Sequence, residues 1–114
     1  MAAIPGYEHD VFVSYAHADN VPEPWVTEFV RLLRIALEQR SGLVGEIAFY
    51  LDSKNLQSNH HLEEIKQNVR RSALFLAIGS PSYARRPWTR AELQTFVETS
   101  GDTRRLFAVG CIPL

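Results

Sequence analysis

The sequence predicts an α/β fold of three layers, with helices covering both faces of a parallel sheet. Three observations carry this expectation. Short runs rich in β-branched and aromatic residues alternate with longer stretches whose apolar residues recur at helical spacing. The short runs are apolar at consecutive positions, as strands buried on both faces are. Most links between the two kinds of segment are short, which favours right-handed strand–helix–strand crossovers.

The first strand is expected over Asp10–Tyr15 (DVFVSY), bounded by polar residues and placed centrally. From Trp25 to Arg40 the apolar residues Val26, Phe29, Val30, Leu33 and Leu37 form one helical face, and Pro22 and Pro24 suit the entrance of that helix. Ser41, Gly42 and Gly45 interrupt the pattern, and Glu46–Asp52 (EIAFYLD) reads as the second strand. A polar loop, Ser53–His61, is longer than the usual connection, a class of loop that often carries function.

Leu62, Ile65 and Val69 give the second helix its apolar face, and Ala73–Ile78, the most uniformly apolar stretch, gives the third strand. Gly79–Pro87 is rich in turn residues. Leu93, Phe96 and Val97 then mark a third helix that stops near Ser100-Gly101, and Leu106–Ile112 forms a fourth strand. The expected strand order is 2-1-3-4, on flavodoxin-like precedent. The chain stops at Cys111-Ile-Pro-Leu114 with no helix after the fourth strand, so residues 1–114 read as a single domain truncated at its C-terminus, part of a longer protein and lacking a fifth strand.

Composition narrows the classes of function. A chain of 114 residues, 46% hydrophobic and 22% charged, suffices for one core. The formal net charge of −1 offers no polycation, so neither nucleic acid nor an anionic membrane is an expected partner. Cys111 is the single cysteine, which excludes an intramolecular disulfide and agrees with a cytoplasmic location. The N-terminus has no basic start followed by an apolar stretch, and Ala73–Ile78 is too short to span a bilayer.

In an open parallel sheet the ligand crevice lies beyond the carboxyl ends of the strands where their order reverses, here between strands one and three. That directs attention to Ser14, Tyr15, His17 and Asp19 after strand one. After strand three it points to Ser80, Tyr83, Arg85 and Arg86, and to Trp88 and Glu92 at the start of the third helix. Trp88 and Glu92 are four apart, so they project in nearly the same direction, at the margin of the Leu93/Phe96/Val97 stripe. A carboxylate beside an indole suits a sugar, because cleavage of an N-glycosidic bond passes through an oxocarbenium-like state that a carboxylate stabilises. A structural reading stands beside this one: Trp88 as a half-buried core residue and Glu92 as a first-turn carboxylate favoured by the helix dipole.

Taken together, DVFVSYAHAD at 10–19, YLDSKNL at 50–56, SALFLAIGSPSY at 72–83 and WTRAEL at 88–93 resemble the motifs of TIR (Toll/interleukin-1 receptor-like) domains in their usual order, over nearly the whole chain. The resemblance is to the prokaryotic type that cleaves NAD. It implies a flavodoxin-like TIR fold, with Glu92 as the catalytic glutamate of the family's Trp-x-x-x-Glu motif and Trp88 as its aromatic neighbour. It places Ser14, Tyr15 and His17, with Tyr83 and Arg85, around the substrate. The stretch Asp52–His61, including Asp52, Leu56 and Asn59, corresponds to the family's loop for self-association and opening of the site. Where family members often carry glycine this chain has Ser58-Asn59, and Asn tolerates a left-handed turn.

Two functions follow from the resemblance. In the first, the domain is an NAD glycohydrolase that releases nicotinamide and leaves ADP-ribose or a cyclised form. It is activated by homo-oligomerisation and coupled to a fused or associated sensor, in anti-phage defence. In the second, it is a non-enzymatic module that signals by TIR–TIR assembly. In the first function NAD is a substrate and no cofactor is implied; neither a G-x-G-x-x-G nor a P-loop lysine motif is present. Other chemistries fit less well. His60 and His61 are adjacent and cannot share one metal from a regular helix. Ser14, His17 and Asp19 crowd one loop with no G-x-S-x-G elbow. Asp52 alone lacks the clustered acids of a magnesium-binding phospho-acceptor site. Most of the arginines in the second half read as solvated, although Arg85 and Arg86 border the expected crevice and could meet a pyrophosphate.

Overall fold

In the computed structural model, which describes residues 3–16, 24–51, 59–79, 83, 87–101 and 104–110, four strands form one parallel sheet in the order expected, 2-1-3-4. The strands are β1 (His9–Ser14), β2 (Phe49–Leu51), β3 (Ser72–Gly79) and β4 (Leu106–Gly110). Between them run α1 (Trp25–Ser41), α2 (Asn59–Arg70) and α3 (Pro87–Ser100). The pairing is parallel throughout, with Phe12 opposite Tyr50 on one side and Phe75 on the other, and Leu76 opposite Phe107.

Alternation along β1 divides the core in two, because successive side chains of a strand point to opposite faces. Phe12 packs with Phe75, Phe96, Ile65 and Val69 under α2 and α3. Val11 and Val13 pack with Val26, Val30, Leu76 and Ile78 under α1. On the first face the rings follow one another closely: Phe12 lies 5.5 Å from Phe75, and Phe75 lies 5.2 Å from Phe96. Helix α1 ends where Gly42 takes the left-handed conformation (φ 77°) and its N–H donates to the Glu38 carbonyl, a cap that a residue with a Cβ enters only at a cost. Among the described residues no helix is long and apolar enough to cross a membrane.

Two boundaries differ from the sequence reading. The second strand is three residues long and not seven. Leu43–Glu46 closes a turn, with the Glu46 N–H on the Leu43 carbonyl, and the peptide of Ala48 bonds to Asp10 before the ladder begins. Helix α2 starts at Asn59, inside the stretch expected to be loop. Residues 53–61 contain neither glycine nor proline, so nothing there stops the helix from extending beyond its apolar face. Asn59 is therefore helical, and no non-glycine residue among those described has a positive φ.

Candidate functional site

Strands β1 and β3 lie side by side at the centre of the sheet, with Ser14 opposite Ala77 at their carboxyl ends. The chain turns from β1 to β2 on one side and reaches β4 through β3 on the other, so the reversal of strand order falls beyond these two ends. Ser14 ends β1 on the same face as Phe12, towards α2 and α3, and is 1% exposed. Tyr83 follows β3 and packs into that face with Phe75, Ala77 and Phe96.

Glu92 comes from α3 and is 4% exposed, in the same buried range as Phe96 and Thr95. The sequence reading set it at the margin of the apolar stripe. The helix instead turns Glu92, Thr95 and Phe96 inward and leaves Leu93 and Val97 half-buried. A buried carboxylate needs hydrogen-bond donors. Here Ser14 supplies one, its Oγ donating to Glu92 Oε1 at 2.8 Å. The Tyr83 hydroxyl lies 2.9 Å from the same Ser14 oxygen. Burial pushes the Tyr83 phenol up to about 12, and the Glu92 charge adds to the rise. Tyr83 therefore stays protonated at physiological pH.

The structure thus brings together three of the residues expected at the crevice: Ser14, Tyr83 and Glu92. It does not bring Tyr15 to them. Tyr15 sits one position further on, faces the other way, and is 7% exposed among Val13, Val26 and Ile78 under α1. Trp88 lies in the first turn of α3, one helical turn before Glu92. His17 and Arg85 lie outside the described residues, as do Asp52 and Leu56, and Asn59 opens α2. Thr95, which the sequence reading passed over, is buried three residues after Glu92 and donates its hydroxyl to the Ala91 carbonyl at 2.7 Å. The three-residue spacing was the available signal, since it puts both side chains on one helix face.

A parallel sheet ordered 2-1-3-4, with a buried carboxylate on the helix after β3, invites comparison with known proteins. The family model described as "TIR domain" matches residues 11–112, nearly the whole chain. The chain belongs to the TIR domain family. Two solved TIR structures share its fold. One is the TIR domain of the Toll-related receptor TRR-2 from the lower metazoan Hydra magnipapillata, 17% identical, with a TM-score of 0.58 over 93% of this chain and 73% of that one. The other comprises the TIR domains of the activated Roq1 resistosome directly recognising the pathogen effector XopQ, 24% identical, with a TM-score of 0.54 over 90% of this chain. This TIR domain spans 55% of that Roq1 chain. Among curated proteins none matches the sequence.

Proposed function

We propose that this TIR domain is an NAD glycohydrolase in which Glu92 is the catalytic carboxylate. The observation that carries the reading is the placement of Glu92: an acid that is 4% exposed, at the crevice between β1 and β3, with the Ser14 hydroxyl donating to it. A carboxylate kept out of water is suited to stabilise positive charge that develops beside it.

In the reaction, the bond between the ribose C1′ and the nicotinamide nitrogen breaks, and its electron pair leaves on nicotinamide. Glu92 stabilises the cationic ribose, water adds at C1′, and one proton is released, giving nicotinamide and ADP-ribose. Attack on C1′ by an atom of the remaining ADP-ribose moiety in place of water, again with release of one proton, gives a cyclic isomer. Trp88, one turn earlier on α3, packs against the reacting sugar, and Arg85 meets the pyrophosphate. His17 lines the same crevice. Assembly with other TIR domains through the 52–61 stretch, including Asp52, Leu56 and Asn59, switches the activity on, and a sensor region supplies the trigger. The setting is cytoplasmic defence against phage.

A second reading is favoured by the same burial. Glu92 so enclosed can serve as a polar pin between α3 and β1 in a module that signals by assembly alone. Nicotinamide release from NAD, measured at high protein concentration or with a crowding agent, separates the two. In the first reading wild type releases nicotinamide and Glu92→Ala does not, while both assemble. In the second neither releases it, even as the full-length, triggered protein.

A further inference from the structure

We propose that Ser14 and Tyr83 are positioning residues that act on the reaction through Glu92. This rests on the glycohydrolase reading above and refines it. The three side chains form a relay whose direction follows from counting protons. An ionised carboxylate only accepts hydrogen bonds, so the single proton of Ser14 points to Glu92 Oε1, 2.8 Å away. With that proton committed, the Ser14 oxygen accepts from the Tyr83 hydroxyl at 2.9 Å. Tyr83 has the proton to give, because its phenol stays neutral in these surroundings.

All three members of the relay are enclosed: Ser14 is 1% exposed, Glu92 4% and Tyr83 9%. Each member comes from a different part of the fold: the end of β1, the segment after β3, and the first half of α3. Ser14 and Glu92 are 78 residues apart, and their bond sets the rotation of the carboxylate relative to the sheet. A donor to the ionised form of a buried acid also favours that form. The relay thus aims Oε1 and supplies a donor to the ionised carboxylate.

The test pairs kinetics with a readout that needs no turnover. Ser14→Ala and Tyr83→Phe are made in the protein carrying Glu92, with Ser14→Thr as the conservative variant that keeps the hydroxyl. In nicotinamide release, Ser14→Ala is expected to lower kcat about tenfold with KM little changed, the effect of one lost hydrogen bond to a charged group. The acid limb of the pH profile is expected to move to higher pH, since a donor to the ionised carboxylate is lost. Tyr83→Phe shifts both in the same direction by less, and Ser14→Thr restores them. In parallel, the Glu92 carboxyl carbon is followed by NMR in ¹³C-Glu protein, assigned by its loss in Glu92→Gln. Its midpoint should move to higher pH in Ser14→Ala and Tyr83→Phe.

The carbon titration also separates the two failures. If wild type releases no nicotinamide but the Glu92 midpoint moves in the variants, the glycohydrolase reading falls and the relay stands as a device that charges and orients this acid. If folded Ser14→Ala and Tyr83→Phe leave both the Glu92 midpoint and the pH profile where wild type has them, the relay is overturned. A rise in KM at constant kcat would overturn it too, since that marks direct binding of substrate by these hydroxyls.

Discussion

Asp10 and Ala48 hold each other twice: the Asp10 N–H donates to the Ala48 carbonyl at 2.8 Å, and the Ala48 N–H donates back to the Asp10 carboxylate at 2.8 Å. The same carboxylate accepts from the N–H groups of Ala3 and Ile4, at 2.8 and 2.7 Å. Asp10 is 2% exposed, so one buried side chain ties the N-terminal segment and the approach to β2 to the start of β1. Its role is architectural, at the opposite end of β1 from Ser14.

Replacement of Asp10 by Ala leaves three backbone donors to find other acceptors. A buried donor without a partner costs ~1–3 kcal/mol, and the N-terminal pair can turn to water, so a loss of about 2–4 kcal/mol is expected. Asp10→Asn keeps one acceptor oxygen and should lose roughly half as much. Urea unfolding of the three proteins checks the order; an Asp10→Ala protein as stable as wild type would show that these bonds are replaceable.

How far the sequence could be read depends on whether a feature is local. The central strands were legible because the consecutive apolar runs at Val11–Val13 and Ala73–Ile78 mark segments buried on both faces, while their order, 2-1-3-4, came from flavodoxin-like precedent. The Trp88/Glu92 spacing was legible for the same reason, since four residues are about one helical turn. The link from Ser14 to Glu92 was not, because it depends on how α3 is rotated about its axis, which long-range packing of Phe96 against Phe75 decides. The opposed directions of Ser14 and Tyr15 were within reach of simple alternation from Val11 and Val13. The pair of hydrogen bonds between Asp10 and Ala48 left no mark in the sequence beyond an aspartate before an apolar run.

Phe75 stands between Phe12 and Phe96 in the ring stack beneath α2 and α3 and is fully buried. Phe75→Ala removes contacts on both sides and opens a cavity that neighbouring strands cannot collapse into. A destabilisation of about 3–5 kcal/mol is expected. Phe107, on the next strand, is 53% exposed, and Phe107→Ala should stay within ~0.5 kcal/mol of wild type. Thermal or urea unfolding of the pair tests whether the core lies where the stack places it.

The N-terminal segment meets the rest of the fold through two arginines of different worth. Arg105 donates to the Tyr7 hydroxyl at 2.6 Å and lies over its ring, 5.6 Å from the centroid. Arg71 pairs with Glu8 at 3.5 Å with both side chains more than half exposed. Solvent and salt screen the second pair, so Glu8→Gln should change stability by no more than ~0.5 kcal/mol. Arg105→Met loses a hydrogen bond and a cation–π contact together and should cost about 1–2 kcal/mol. Equal effects for the two variants would contradict the difference in burial.

Tyr83 gives the fold a dependence on alkaline pH whose sign can be worked out. Up to about pH 10 the phenol keeps its proton in both the folded and the unfolded chain, and Tyr83 adds no slope. Between about 10 and about 12 the unfolded chain loses the proton while the buried phenol holds it, so stability falls as pH rises through that window. Two units correspond to at most about 3 kcal/mol. Other groups titrate there as well, and Tyr83→Phe separates them, since it removes this contribution alone. Urea midpoints at about pH 9 and about pH 11 should therefore differ less in Tyr83→Phe than in wild type. Glu92→Gln should fall between them, because it removes the charge that adds to the rise but leaves the phenol buried. Parallel losses in all three proteins would mean that the Tyr83 hydroxyl is already solvated in the folded domain.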